Sequence, residues 1–222
     1  MHRNEYERNW KDRPGGKKVR LRAPNAAEVL VILNCLLFLM MGDSAELKQS
    51  LSTSIRALAE GKLFTLLTSM FTHVNFVHLL ANCVALWSFR TLVPVIGNRR
   101  FLTVYFVSGL VGTVAFLTQY GVQYINSTGL MERAINFNKS CCGASGAIFG
   151  LFSFLAHLAP QSKIGVMFVI PLPAIRALQL ITLFEVVRFL FDISPEISAT
   201  GHLGGIVAGR LLYKAMARRI RI

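Results

Sequence analysis

Charge is scarce in this chain, and acid is the scarcer sign. Asp and Glu number 11 against 24 Lys and Arg, and charged residues make up 16% of the 222, where an ordinary soluble domain carries about 25%. With 53% hydrophobic residues, 16 phenylalanines and a mean hydropathy of +0.49, the composition excludes an ordinary water-soluble domain and points to a membrane protein. Cysteine is sparse as well. Cys35, Cys83, Cys141 and Cys142 show no Cys-x-x-Cys spacing and no histidine at metal-ligand distance in sequence. That argues against a disulfide framework and a zinc site. No internal repeat of the kind that marks transporters is visible. The first 25 residues are too polar for a signal peptide, and Glu5, Glu7 and Asp12 argue against a simple transit peptide. The net charge of +13 would suit nucleic acid. Its basic residues gather at the termini and beside apolar runs, which is the pattern of membrane topology, so no nucleic-acid partner is expected.

What is present is apolar and helical in period. Residues 1–25 read as a basic polar tail with eight Lys or Arg. Six spans follow in a core over residues 26–216, at about 26–41, 63–89, 101–118, 144–159, 174–191 and 201–216, giving an all-α polytopic fold. Leu47, Leu51, Ile55, Leu58 and Ala59 recur at spacings of three and four among Glu46, Lys48, Arg56 and Glu60. This predicts one amphipathic surface helix across residues 43–62. Residues 119–142 read as a polar loop, residues 164–170 as an extended piece in the interface, and residues 217–222 as a basic tail. Glu185 and Arg188 stand three apart in the fifth span, as a pair that neutralises itself or reaches the surface, with no chemistry assigned. Lys and Arg are concentrated on the side that holds both termini, which sets that side toward the cytoplasm or its equivalent.

The stretch of most chemical interest is Cys142-Gly143-Ala144-Ser145-Gly146-Ala147-Ile148-Phe149-Gly150. A serine between glycines at the head of an apolar helix has a bland explanation, since small residues line helix contacts in membranes. The topology adds a second fact. Spans two, four and six all start from the same face, and His78 with Asn82, Ser145 and His202 all fall near those starts. Packing residues scattered at random would not share a depth. Serine needs a base to become a nucleophile, and His202 is the candidate. Gly201, Gly205 and Gly209 make a flat face that would let the sixth span approach Gly146 and Gly150. No acidic residue in the spans reads as well placed for a third member, so a Ser–His pair is the economical reading. His78, Asn82 and the Ser145 backbone N–H could form an oxyanion hole. His78 and Asn82 could instead be interhelical glue.

These residues resemble the rhomboid intramembrane serine proteases. Gly143-Ala144-Ser145-Gly146 matches their Gly-x-Ser-Gly, His73, His78 and Asn82 stand at the spacing of their second helix, and Gly201-His202-Leu203-Gly204-Gly205 is similar to their last core helix. The run from Leu80 to Phe89 and the serine motif look most like the presenilin-associated, mitochondrial branch. The resemblance implies Ser145 as nucleophile, His202 as base, and His78, Asn82 and the Ser145 amide as oxyanion donors. His73 is then structural, bonding the first outer loop, Gly205 the close-contact glycine, and Phe149 the ring against the catalytic histidine where many relatives have Tyr. It further implies cleavage of transmembrane protein substrates without a cofactor, a place in the inner mitochondrial membrane, and, as the alternative, a non-catalytic chaperone that binds transmembrane segments. Three departures stand out. The first outer loop lacks the family's Trp-Arg pair, Gly201 replaces the usual Ala, and the extra leading helix and targeting region of the mitochondrial branch are not seen, which implies either a short form or a different branch.

Overall fold

A computed structural model describes residues 23–166, 170–194 and 196–217. The expected basic tails lie almost wholly outside the described residues. Among the described residues the fold is helical apart from two short ladders and the connecting turns. Helix α1, Ala26–Met41, begins where the Asn25 side chain accepts from Glu28 N and Glu28 reaches back to Asn25 N at 2.8 Å. This reciprocal cap satisfies two otherwise unpaired donors.

The expected single helix over residues 43–62 is not one helix. It forms α2, Ala45–Leu51, a two-residue strand β1, Thr53–Ser54, and α3, Ile55–Ala59. Ser44 caps the first helix and Ser54 the second. A serine that can cap gives the chain a new start in mid-pattern, and that breaks the period.

The second span is also broken. After α4, Thr65–Thr68, a 3₁₀ turn covers Ser69–Phe71, and the chain then bends by 88° before α5, Phe76–Ser88. Asn75 caps α5 by accepting from His78 N at 2.9 Å. A 3₁₀ turn, Phe89–Thr91, and α6, Val93–Ile96, lead into α7, Asn98–Asn126. This helix outruns the expected end at residue 118 because the residues that follow, Gln119 to Asn126, hold no proline, and the one glycine among them, Gly121, weakens a helix without ending it. The region expected as loop also holds a further helix, α8, Leu130–Asn138.

Strand β2, Ser140–Cys141, pairs antiparallel with β1. Helix α9, Ser145–Leu158, comes next, and the extended piece expected over residues 164–170 falls on an antiparallel ladder of β3, Lys163–Val166, and β4, Ile170–Pro173, with 167–169 outside the described residues. Helices α10, Ala174–Leu190, and α11, Ala199–Met216, complete the fold.

Among the described residues only α7, with 29 residues, is by itself long and apolar enough to cross a membrane, and the bent pair around residues 72–75 passes together. Helices α1, α5, α9, α10 and α11 run from 13 to 18 residues. Six rods are present, but their lengths alone do not establish six spans.

The centre of the molecule is the trio α7, α9 and α11. A Cβ on Gly205 would overlap the carbonyl of Gly146, one on Gly209 would overlap that of Gly150, and one on Gly112 would come within 2.5 Å of the Gly201 carbonyl oxygen. The backbones therefore touch, which only side-chain-free positions allow. Of the repeat at 201, 205 and 209, Gly205 and Gly209 set α11 directly against α9, while Gly201 meets its own cap Ser198 and Gly112 of α7. Phe101, Tyr105, Leu151 and Phe154 fill the core around this seam.

Candidate active site

The seam fixes where two side chains meet. Ser145 is the first residue of α9 and His202 lies in the first turn of α11. The Ser145 hydroxyl and His202 Nε2 are hydrogen-bonded at 2.9 Å. His202 is buried at 7% exposure and Ser145 is half-buried. Phe149, one turn along α9, stacks on the imidazole with centroids 4.1 Å apart and planes 20° from parallel. That contact fixes the ring plane, and such pairs contribute about 1 kcal/mol.

The start of α11 is itself anchored. Ser198 caps it by accepting from Gly201 N at 2.9 Å, and Thr200 donates to Gln119 of α7 at 2.6 Å. A Cβ on Gly201 would stand 2.9 Å from Ser198 Oγ, so the capping serine occupies the space an alanine would need.

The backbone before Ser145 is equally constrained. Gly143 has φ +110°, and a Cβ there would lie 2.6 Å from the His78 ring, so conformation and space both call for glycine. Its N–H donates to Ser69 O at 2.8 Å. Helix α9 has no side-chain cap, which leaves the N–H groups of its first turn without partners from its own helix.

His78 thus sits beside the serine loop. Asn82, buried one turn on, donates through Nδ2 to the His78 carbonyl at 2.8 Å, which leaves its second amide hydrogen. His73 donates through Nδ1 to Phe71 O at 3.3 Å and sets its ring edge-on to His78, centroids 5.0 Å apart. It contacts the turn and its neighbour histidine, not the serine. His157 donates to Ser153 O at 2.7 Å near Tyr213, as a packed histidine.

A narrow cleft opens on the pair, lined by Gly109, Gly112 and Thr113 of α7, Ser145 and Gly146 of α9, and His202 of α11. It has room for about one water molecule beside the hydroxyl.

One residue at this site contradicts the sequence reading. Glu185, in α10, brings Oε1 to 3.0 Å from His202 Nδ1. The oxygen lies off the line of the ring N–H, so this is a close polar contact and not a linear hydrogen bond. The other oxygen, Oε2, accepts from Arg188 at 2.7 Å, and Arg188 also donates to the carbonyls of Ser194 and Ile197 at 3.1 and 2.7 Å. Glu185 and Arg188 are exposed by only 3% and 5%. They do neutralise one another, but inside the protein and against the histidine, not at the surface. An i,i+3 pair in an apolar helix does carry a signal that was there to be used: buried charge in such a place is costly and marks function.

Residues 60–219 match the rhomboid domain family. The rhomboid protease GluP of Bacillus subtilis is 31% identical over 153 residues, 68% of this chain and 26% of that protein. RHOMBOID-like protein 12, mitochondrial, of Arabidopsis thaliana is 26% identical over 193 residues, 83% of this chain and 56% of its own length. The presenilin-associated rhomboid-like protein A, mitochondrial, of Danio rerio is 25% identical over 146 residues, 64% of this chain and 34% of that protein. The chain therefore spans between about a quarter and just over half of these relatives, which come from both bacteria and mitochondria.

Proposed function

The chain belongs to the rhomboid family, and from that premise we propose that it is an intramembrane serine endopeptidase acting through Ser145 and His202. The observation that carries the reading is the 2.9 Å hydrogen bond from a helix-start serine to a buried imidazole. The apolar outer surface supports a multi-pass protein: Leu36, Leu39, Met40, Leu180, Leu183, Phe184 and Leu190 are all more than half exposed, as suits faces turned to lipid. In this reading the six rods are six spans, residues 26–216 form the protease domain, and the substrates are transmembrane segments of other proteins. The membrane is mitochondrial if the chain follows those relatives that carry the word in their names.

The chemistry follows from the geometry. His202 Nε2 accepts the Ser145 proton as Oγ attacks the scissile carbonyl, and the imidazolium then returns that proton to the leaving amine. Charge on the tetrahedral oxygen develops near the uncapped start of α9. The Ser145 N–H, the His78 ring and the free amide hydrogen of Asn82 would donate to it, each worth roughly 3 kcal/mol in the transition state. Water from the cleft then releases the acyl group from Ser145.

The test uses purified parent, Ser145→Ala and His202→Ala in lipid, with a substrate carrying a helix-destabilised transmembrane segment. Fragments are identified by mass spectrometry. Cleavage by the parent that both variants lack supports the reading. Binding without cleavage by all three proteins would favour a chaperone that captures transmembrane segments, and cleavage by Ser145→Ala would overturn the role of Ser145.

A further inference from the structure

We propose that Glu185 is a positioning residue for His202, held in place by Arg188, so that the site works as Ser145, His202 and Glu185 and not as a pair; this rests on the protease reading above. The argument starts with a tautomer. For Nε2 to accept from Ser145, the neutral imidazole must carry its proton on Nδ1. A carboxylate oxygen 3.0 Å from Nδ1 favours that form, and it favours the imidazolium that appears once Nε2 takes the serine proton. The proton on Nδ1 stays there throughout. Glu185 remains ionised, and only the Ser145 proton moves.

The arrangement around Glu185 is built to hold this orientation. Each carboxylate oxygen has its own partner, Oε1 toward His202 and Oε2 accepting from Arg188. Arg188 then spans to the Ser194 and Ile197 carbonyls, in the loop that ends at Ser198, the cap of α11. A continuous polar path therefore runs from α10 through Arg188 to the start of the helix that carries His202. A pair serving only to neutralise charge would gain nothing from lying against the imidazole. Burial of both partners at 3% and 5% exposure carries a desolvation cost that a surface pair avoids. Among the described residues, Glu185 of α10 is the charged group against His202, Arg188 is paired with its other oxygen, and the His78 ring of α5 lies against Gly143, two residues before Ser145. Ser145 faces His202 from α9.

Glu185→Gln keeps the shape and tests the charge. A glutamine amide beside Nδ1 would donate to it and favour the tautomer with its proton on Nε2, which cannot accept from Ser145. Parent, Glu185→Gln, Glu185→Asp and Ser145→Ala are reconstituted in the same lipid, and kcat and KM for the transmembrane substrate are followed from mildly acidic to mildly alkaline pH. The expected result for Glu185→Gln is a kcat lower by about 100-fold with KM little changed. Its residual rate should persist to lower pH than the parent's, because loss of the negative charge disfavours the imidazolium. Glu185→Asp should recover part of the rate and the parent's acidic limb. Since Glu185→Gln leaves Arg188 short of its counter-charge, the neutral double variant Glu185→Gln/Arg188→Gln is carried alongside, and every rate is referred to folded protein. A kcat within about twofold of the parent's, with an unmoved acidic limb, in either variant that folds would overturn the proposal and leave Glu185 a structural ion pair. Cleavage by Ser145→Ala would instead sink the protease reading itself, so the two failures are separable.

Discussion

Two clusters of charge in this molecule look alike on paper and behave differently in space. Where α3 runs into the following loop, Arg56 pairs with Glu60 at 2.7 Å and Lys62 pairs with the same carboxylate at 2.7 Å, with side chains 37% to 59% exposed. In α10, Arg188 pairs with Glu185 at the same 2.7 Å, but both side chains are 5% exposed. Water and salt screen the first cluster, and its partners can part at little cost. The second has no such escape, and one of its oxygens faces an imidazole. Equal distance therefore says little; what surrounds the pair decides whether it is decoration or machinery.

The comparison can be broken most strongly through the seam that builds the inner environment. Gly205→Ala places a Cβ on the Gly146 carbonyl, and backbone cannot yield as a side chain does. The expected outcome is a loss of about 1–3 kcal/mol of stability and at least a tenfold loss of fluorophosphonate labelling at Ser145, as α11 carries His202 away from α9. Denaturant titration and gel-based labelling measure the two. A smaller effect is expected at Phe149. Phe149→Ala removes the stacked ring and should cut the labelling rate by about fivefold, roughly 1 kcal/mol, while Phe149→Tyr keeps the ring and should stay near the parent. The smallest effect belongs to the outer cluster. Lys62 and Arg56 hold the Glu60 carboxyl down from 4.5 to about 2. A depressed carboxylate contributes its stability above its ordinary value, and the contribution fades as pH falls through about 2. Because Glu60 is exposed and screened by solvent, Glu60→Gln should leave labelling unchanged at neutral pH and move the unfolding midpoint by no more than experimental scatter. Raising the salt concentration should erase even that difference.

Much of the arrangement was legible in the residues. The serine between glycines, the histidine after Gly201 and the four-residue glycine repeat together anticipated a serine and an imidazole meeting across a tight helix contact, and 2.9 Å separates them. The helices near residues 26, 145, 174 and 199 begin close to where the apolar runs begin. Other features were hidden for identifiable reasons. Glu185 and Arg188 announce by spacing that they share a helix face, but not which neighbour that face meets. That depends on how α10 crosses α11, a tertiary fact. Asn75 and Ser54 look like ordinary polar residues within an apolar or amphipathic pattern, yet each caps a new helix and breaks the old one. The polar run after Thr118 reads as loop by composition, and α7 continues through it because nothing there forbids helix.

The two-residue ladder between β1 and β2 has a consequence of its own. Thr53 pairs with Cys141 and Ser54 with Ser140, and two residues later Gly143 is tied to Ser69. The segment leading into Ser145 is thus fastened at one end to β1 and at the other to the 3₁₀ turn after α4. In the proposed mechanism its conformational freedom is surrendered when the protein folds, before any substrate arrives. The backbone N–H that would meet a nascent oxyanion then stands ready in the resting molecule and need not be recruited at each turnover.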